Sequence, residues 1–488
     1  CAGVAIDADK NKANGDVSMN SKNNIRNSCD TGETPPRRSF LKTIAMGATL
    51  AGAMLMGAGQ VQAATTWKIQ STWDAGTVGY TLFEEWCKSI EAKSGGELKF
   101  QCFPANKANG DVSMNSKNNI RNSCDTGETP PRRSFLKTIA MGATLAGAML
   151  MGAGQVQAAT TWKIQSTWDA GTVGYTLFEE WCKSIEAKSG GELKFQCFPA
   201  KAVAADNNAL FDAVRNGVLQ GMNPFTLYWA GKIPASVFLS SYPAGPDQPH
   251  QWDTMFYSMG MLEKTREIYK KFGLFYVGPI QHDANIIHSK QPVNSLDDLK
   301  GMKIRVPGGM VAEVFQQFGV STVSLPGSDI FPALEKGTID AADFVGPAVN
   351  YELGFSQVTD YIIFGPPGVM SIYQPVDLMD LTVSLRAWNS ISPELQQLVE
   401  DEVRIYSQKH YLAIQARNIE AMEKFKADGD TVTRLSQEDL ETWRKAAIPI
   451  WFNWANKNDD ARAILDIQLK YMMNDTVGYI TEEDIKGF

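Results

Sequence analysis

Histidine is scarce in this chain, and the residue spacings that mark catalytic sites are missing. The 488 residues include four histidines, and none of them stands in a metal-ligand or catalytic-triad arrangement. No glycine-rich phosphate loop follows a predicted strand, because Gly308 and Gly309 come after a proline and lack the lysine of a P-loop. Paired carboxylates such as Asp297 and Asp298 stand in polar turns, which is typical of a solvated surface. Nothing in the sequence calls for an enzyme.

Positive charge and long apolar runs are also in short supply. Lysine and arginine total 46 against 54 acidic residues, which gives a formal net charge of −8 and a pI near 5.3. No stripe of basic residues interleaved with aromatics is present, so nucleic acid is excluded as a partner. The Ala/Gly/Met stretch at residues 138–154 is shorter than the ~20 residues that span a bilayer. We therefore expect a protein that is not embedded in a membrane.

One segment of the chain is present twice. Residues 11–105 recur letter for letter as residues 106–200, at a constant offset of 95 positions. Structural repeats that have evolved together diverge in sequence, so this identity is not typical of a repeat architecture. Two interpretations remain open, a recent duplication and an artefact of the sequence or its numbering.

Each copy carries an export signal. The second copy reads PRRSFLK at residues 131–137, continues with the modest apolar stretch, and ends in small residues at Val156 and Ala158. Twin arginines, a weak apolar core and small residues at −3 and −1 predict a twin-arginine targeting segment cut after Ala158. Arg37, Arg38 and Ala63 are the matching positions of the first copy. We expect segment 1–158 to stay outside the mature fold, a buried or transmembrane helix being the alternative.

Cysteine is sparse beyond that cleavage site. Of seven cysteines, Cys182 and Cys197 alone follow it, on either side of a predicted helix-to-strand connection. In an oxidising compartment two such residues either pair or remain separate buried thiols, and the sequence favours neither. They are too few for a disulfide scaffold and lack the spacing of a zinc site.

The hydrophobic pattern after residue 158 predicts an α/β fold. A strand at 161–168, an amphipathic helix containing Phe178 and Ile185, and a strand at 192–198 form a β-α-β opening. A further strand is predicted at 282–288. Residues 393–427 contain almost no helix breakers and repeat apolar side chains at helical spacing, which predicts one long helix of about 50 Å. Two more helices are predicted at 436–456 and 460–473.

Arg305 is the charged residue that stands out. It ends a short apolar strand directly before Val306 and Pro307, where a charged side chain turns either to solvent or into a cleft. Its guanidinium is always charged and offers a planar fork of donors that fits a carboxylate. From chemistry alone, a surface position and a ligand clamp both remain open.

Two runs around this residue resemble a known family. They are LDDLKGMKIRVP at residues 296–307 and LPGSDIFPALEKGTIDAAD at residues 325–343. Both are similar to the signatures of the DctP-type solute receptors of tripartite ATP-independent periplasmic (TRAP) transporters. The resemblance extends over essentially the whole chain after residue 158, including the opening β-α-β unit and the long late helix, and over the export signal before it.

The resemblance implies a two-lobed periplasmic-binding-protein fold of type II-like topology, with a hinge and a long C-terminal helix spanning the lobes. The lobes would interleave along the chain as 159–283 plus 371–410 and 284–370 plus 411–488. Arg305 would pair with a ligand carboxylate as the lobes close, with Gly327 nearby in the site. The partners would be a small carboxylate and the TRAP membrane subunits, and the receptor would work in the periplasm.

The neighbourhood of Asp343 and Phe344 looks closest to the α-keto-acid branch of that family. The branch often has Glu-Trp at these two positions and uses the acidic residue to hold a cation beside the ligand. A second acidic ligand is usual in a later segment, where this chain reads FGPPG at residues 364–368. No cofactor is expected, and a bound cation at Asp343 remains an open alternative to a hydrogen bond from an amino or indole N–H.

The first lobe would supply an apolar wall opposite Arg305. Five residues are candidates for it: Trp168, Asp169, Phe225, Tyr228 and Trp229. Each taken alone is more typical of a core, but together they favour a monocarboxylate ligand with a hydrophobic or aromatic tail, a keto acid or an indole-type or aromatic acid or amino acid. An exported enzyme acting on an organic acid and a ligand sensor for a membrane receptor are the alternative functions.

Overall fold

Two parts of the chain are described by the computed structural model, residues 65–105 and residues 159–488. They belong to two separate units, Cys1–Ala140 and Met141–Phe488. The export signals, with Arg37, Arg38, Ala63, Arg132, Arg133 and Ala158, lie outside the described residues. The prediction of a twin-arginine signal therefore stays a prediction.

Residues 65–105 of the first unit form one β-α-β element. Strand β1 (Thr65–Gln70), helix α1 (Val78–Lys93) and strand β2 (Leu98–Phe103) follow one another, and the two strands pair in parallel. A disulfide joins Cys87 of the helix to Cys102 of the second strand.

The second unit contains eleven strands and eleven helices within residues 159–488. Its strands are β3 (Thr160–Ser166), β4 (Leu193–Phe198), β5 (Gly221–Asn223), β6 (Leu274–Gln281), β7 (Ile286–Ser289), β8 (Lys303–Arg305), β9 (Ser321–Val323), β10 (Ala341–Phe344), β11 (Tyr361–Phe364), β12 (Leu378–Ser384) and β13 (Thr431–Arg434). Its helices are α2 (Val173–Lys188), α3 (Asn207–Arg215), α4 (Pro249–Ser258), α5 (Met261–Lys270), α6 (Gly309–Gln317), α7 (Ile330–Glu335), α8 (Pro347–Glu352), α9 (Leu385–Trp388), α10 (Pro393–Asp428), α11 (Gln437–Ala455) and α12 (Asp459–Met472).

The strands form two separate sheets. The first has the order β4-β3-β5-β12-β6, and the second has the order β13-β11-β7-β10-β8-β9. Strands β3 and β4 are parallel with α2 between them, so the predicted β-α-β opening is confirmed. A disulfide between Cys182 and Cys197 links α2 to β4, which settles the alternative that the sequence left open.

Three connections run between the sheets, α10 between β12 and β13 and two segments without a helix. Residues 282–285 lead from β6 to β7, and residues 365–377 lead from β11 back to β12. The backbones of the two segments bond to each other, since His282 N donates to Asp377 O at 2.8 Å and Asn285 N donates to Gln374 O at 3.0 Å. The predicted strand at 282–288 is therefore wrong in its first half, because those residues bridge the two crossings instead of joining a sheet.

Helix α10 packs on elements of both sheets. Ser392 caps its first turn, and Gly429, with φ of 107°, ends it through a backbone conformation that suits glycine. The first half of α10 packs on β6 and α2, and the second half packs on α8 beside the second sheet. The predicted long helix is thus confirmed to within one residue at its end.

Helix α12 packs on α4 and α5, which flank the first sheet. Its Gln468 accepts a hydrogen bond from the hydroxyl of Tyr242 at 3.1 Å and donates one to Phe238 O at 2.7 Å. Helix α11 packs on α6 beside the second sheet. The last part of the chain, expected to belong to the second lobe throughout, therefore contributes contacts to both sides.

We predict that replacing Ile414 by Ala destabilises the protein by about 2–5 kcal/mol, because this fully buried side chain of α10 leaves a cavity. Replacing the neighbouring Leu412, which is 60% exposed, should change the free energy of unfolding by less than about 0.5 kcal/mol. Urea denaturation of both variants measures the difference. Equal effects would contradict the burial of Ile414 and the exposure of Leu412 on α10.

Candidate functional site

Arg305 lies buried between the two sheets at the end of β8, with 1% of its surface exposed. Its Nε donates to Leu325 O at 2.9 Å, and its Nη1 donates to Asp343 O at 2.7 Å. Its Nη2 has no hydrogen-bond partner among the described residues. A buried guanidinium is costly unless its charge is paired, and here two bonds orient the group while one of its three nitrogens, Nη2, has both N–H groups unused.

The topology of the second sheet explains this position. Strand β8 runs parallel to β9 and β10, so that Arg305 pairs in register with Val323 and Ala342. The carboxyl ends of these three parallel strands meet at one edge of the sheet, which is where open α/β sheets bind ligands. Pro307 and Gly308, the latter with φ of 102°, turn the chain away into α6 and leave the guanidinium at that edge.

Phe344 and Tyr228 lie against the guanidinium. The Cζ of Arg305 lies 4.9 Å from the ring centroid of Phe344, a cation-π contact. Tyr228 follows β5 of the first sheet, so its phenol reaches Arg305 from the other side of the cleft. Burial raises the pKa of Tyr228, and the positive charge of Arg305 opposes part of that rise. The phenol therefore stays protonated and can donate a hydrogen bond to an anion.

Asp343, next to Arg305, has a carboxyl group without hydrogen bonds. It is fully buried, and neither carboxylate oxygen has a hydrogen-bond partner among the described residues. Burial raises the pKa of this carboxyl to about 8, although Arg305 acts in the opposite direction. At neutral pH the group is therefore mostly protonated unless a cation neutralises it.

The described carboxylates near Asp343 do not cluster as the ligands of a metal site would. Within residues 65–105 and 159–488, no cluster of three or more His, Cys, Asp or Glu side chains is arranged to hold a metal ion. The segment at 364–368 supplies two prolines and no carboxylate. A cation at Asp343 would need its other ligands from neutral protein oxygens or from the solute itself.

A second aromatic group lies beside the first sheet. Trp168 is buried, and its ring contacts Phe225 at 5.4 Å and His282 at 4.8 Å between centroids. Its indole Nε1 has no partner among the described residues, so it is free to donate to a bound group. Trp168 and Phe225 thus share a cluster with His282, which the sequence analysis did not single out.

Gly327 marks where the two sides approach most closely. A Cβ added there would lie 2.7 Å from the ring of Phe344 and 3.3 Å from Oδ2 of Asp169, so no larger residue fits without movement. Asp169 is partly buried, and burial is the main cause that raises its pKa. Lys201 from the first-sheet side forms an ion pair with Asp329 at 3.0 Å beside the same turn.

The cleft is nearly closed in this conformation. A cavity of about 30 Å³ remains, lined from one side by Asp169, Lys201 and Tyr228 and from the other by Pro326, Gly327 and Ser328. That volume holds about two water molecules. A solute larger than this enters only after the two sides separate.

Trp229 is not brought to this site. Its indole donates to the hydroxyl of Tyr269 at 3.1 Å and packs 5.4 Å from the ring of Phe211, inside the core beside the first sheet. Polar residues of the crossing segments, His282 and Asn285, lie buried instead, each with atoms that lack a hydrogen-bond partner among the described residues. The signal that could have found them is the polar run QHDAN at 281–285 between two apolar strands.

We predict that Asp343→Asn alters the pH dependence of stability. Between about pH 4 and pH 8 the folded protein keeps a proton on this carboxyl, whereas the unfolded chain releases it. Ionisation of Asp343 in the unfolded chain therefore lowers the stability of the wild type as pH rises. The difference in the free energy of unfolding between variant and wild type should therefore grow by up to about 1.4 kcal/mol per pH unit in that range. Urea titrations at pH 5, 6 and 7 with EDTA present measure it, and parallel pH profiles would contradict it.

Comparison with known proteins places this geometry in a family. The model of the DctP family, described as bacterial extracellular solute-binding protein, family 7, matches residues 164–458. A monocarboxylate 2-oxoacid-binding periplasmic protein of Nostoc sp. (strain PCC 7120) is 28% identical over 301 residues, which cover 61% of this chain and 80% of that protein. No helix within residues 65–105 and 159–488 combines the length and apolar character needed to cross a membrane.

Solved structures agree with the same assignment. A TRAP transporter solute-binding protein from Bordetella bronchiseptica RB50, with calcium and picolinate in its site, is 27% identical with a TM-score of 0.58, covering 64% of this chain and 91% of that one. A TRAP periplasmic solute-binding protein from Rhodobacter sphaeroides in an apo open form is 26% identical with a TM-score of 0.52, covering 64% and 98%. The predicted two-lobed α/β fold is thereby confirmed. The chain belongs to the DctP family of bacterial extracellular solute-binding proteins.

Proposed function

We propose that this chain is a periplasmic receptor that binds a small organic monocarboxylate between its two lobes and delivers it to TRAP membrane subunits. The observation that carries the proposal is the buried guanidinium of Arg305, whose Nη2 has no hydrogen-bond partner among the described residues. The carboxylate of the solute supplies both the missing acceptor and the compensating charge.

The site distinguishes a monocarboxylate from a more highly charged acid. One guanidinium faces the cleft, and the adjacent Asp343 is mostly neutral at pH 7 and would repel a second carboxylate once ionised. Trp168, Phe225 and Phe344 supply apolar surface for the rest of the molecule. A keto acid or an aromatic acid therefore fits best, and two similar proteins, a 2-oxoacid-binding protein and a picolinate-bound receptor, agree with that class.

Binding works through closure of the lobes about the two crossing segments. The lobes are proposed to comprise 159–283 plus 371–410 and 284–370 plus 411–488, with α12 packed back on the first. Closing them removes water from the site, which strengthens the ion pair at Arg305 relative to the open form. The solute leaves unchanged, so the protein acts as a receptor and not as an enzyme.

Two contacts at the cleft mouth stabilise the closed form. Lys201 pairs with Asp329, and the carboxylate of Glu352 accepts a hydrogen bond at 2.7 Å from Val173 N, at the positive end of α2. Lys201 adopts φ of 65°, a left-handed conformation that is strained for a non-glycine residue and that is often found at functional positions. These contacts join the lobes without touching the solute.

Export by the twin-arginine route completes the proposal. The signal at 131–158 would deliver the receptor to the periplasm and be removed after Ala158, so that the receptor begins with β3. This is where TRAP solute-binding proteins meet their membrane subunits.

We predict that Arg305→Ala weakens binding of pyruvate, branched keto acids or indole acids by at least ~30-fold, since removing one partner of a buried charge pair costs about 2–5 kcal/mol. Lys303→Ala on the exposed face of the same strand is the matched control and should bind like wild type. Isothermal titration calorimetry with this ligand panel measures both. Binding of short dicarboxylates alone would contradict the proposed ligand class.

We predict that Lys201→Ala combined with Glu352→Ala shifts the ligand-free protein toward the open form. Each lost contact is worth at most about 1 kcal/mol, because both are partly exposed. Small-angle scattering should show a larger radius of gyration, and stopped-flow should show faster solute release. Lys194→Ala, which removes an exposed ion pair with Glu186 inside one lobe, is the control and should change neither quantity.

A further inference from the structure

The duplicated segment has two different environments in the same chain. Residues 65–105 and 160–200 share one sequence and fold into the same β-α-β element. Thr77 and Thr172 cap their helices with the same φ of −83°, and Tyr80 and Tyr175 donate to the corresponding cysteine carbonyls, Cys102 and Cys197. Each copy also closes its own disulfide. The element is therefore built locally and does not need its neighbours to take shape.

The second copy is bound to partners that lie beyond the duplication. Its strand β3 pairs with β5 along the edge opposite β4. Trp181 of α2 donates from its indole to Glu402 O at 3.2 Å and stacks on Tyr406 at 5.0 Å. Lys188 pairs with the carboxylate of Glu402. These contacts to β5 and α10 bury one edge and one face of the element.

The first copy presents the aromatic side chains of the same edge and face to solvent. Trp67 is 52% exposed and Trp86 is 51% exposed, whereas their counterparts Trp162 and Trp181 are 1% and 5% exposed. Strand β1 pairs with β2 alone in the described residues. The exposed aromatic face of the first copy is thus the same surface that the second copy buries against β5 and α10.

We propose that, in the uncut chain, residues 65–105 are a second occupant for the position beside β5 and α10, and that they take it when residues 159–200 can no longer hold it. The partner surface is fixed by sequence identity, because every side chain that β5 and α10 require is present in both copies. Trp86 would then stack on Tyr406, and β1 would pair with β5.

Chain connectivity explains why the second copy holds the position in the intact protein. Ala200 continues directly into Lys201, whereas occupation by the first copy closes residues 106–200 into a loop. Closure entropy grows as (3/2)RT ln n, which for a loop of ~95 residues favours the second copy by on the order of a thousandfold. A substitution that weakens the second copy by more than this factor should reverse the occupancy.

Trp181→Asp and Trp86→Asp make the same change in the two copies of the full-length chain. The substitution also labels the copies, because their peptides are otherwise identical and differ only in carrying Asp or Trp. Hydrogen-exchange mass spectrometry can therefore follow each copy, and thermal unfolding reports the whole fold. The double variant shows what happens when neither copy fits.

We expect Trp86→Asp to melt like wild type, with the Trp-bearing peptide protected and the Asp-bearing peptide exchanging fast. We expect Trp181→Asp to keep a cooperative unfolding transition. Its Trp-bearing peptide, which now comes from the first copy, should be protected, and its Asp-bearing peptide should exchange fast. The double variant should lose the transition. The proposal fails if Trp181→Asp unfolds like the double variant, or if its melting temperature rises with protein concentration, which would make a second chain the donor.

Discussion

A buried guanidinium with one unbonded nitrogen is the constraint on which the site depends. Arg305 is oriented by the carbonyls of Leu325 and Asp343, which come from two neighbouring segments of the second sheet. No carboxylate among the described residues forms an ion pair with Arg305, and Asp343 beside it is mostly neutral at pH 7. The charge is therefore left for a solute to compensate, and the ring of Phe344 covers the guanidinium without competing for that charge.

The two-sheet architecture converts that local constraint into a receptor. Because β12 returns to the first sheet after β11 has joined the second, two non-helical chain segments cross between the lobes and bond to each other there. Asp283 in the first crossing accepts hydrogen bonds from Gly346 N and from the Asn418 side chain of α10. The crossing is thereby linked both to the strand end that carries Asp343 and to the long helix. Movement at the proposed hinge would therefore change the position of the residues that form the ligand site.

Much of this fold could be predicted from sequence because the signals are local. The bounds of α10 follow from Ser392, Pro393 and Gly429, and the opening β-α-β element follows from its periodicity. Strand β6 gave no alternation to detect, because all of its residues are buried, and the crossing at 282–285 was merged into β7 for the same reason. Whether Cys182 and Cys197 pair depends on how the helix docks on its strand, which residue spacing does not reveal.

Only part of the candidate site could be predicted from the sequence. The resemblance placed Arg305, Asp343 and Phe344 at strand ends that the structure brings together. Tyr228 and Trp229 are adjacent in sequence but lie in different places. They end a 3-10 turn, in which the side chains of neighbouring residues point about 120° apart, so Tyr228 reaches the cleft and Trp229 the core. His282 and Asn285 join the buried polar group only through the crossing of distant segments.

The most direct test changes the charge of the solute and leaves the protein intact. Calorimetry should compare a bound monocarboxylic acid with its primary amide, which has nearly the same shape and no charge. If the solute carboxylate compensates Arg305, the amide should bind at least ~30-fold more weakly at neutral pH. Equal affinity for the acid and the amide would show that the guanidinium does not hold the ligand, and would contradict the account.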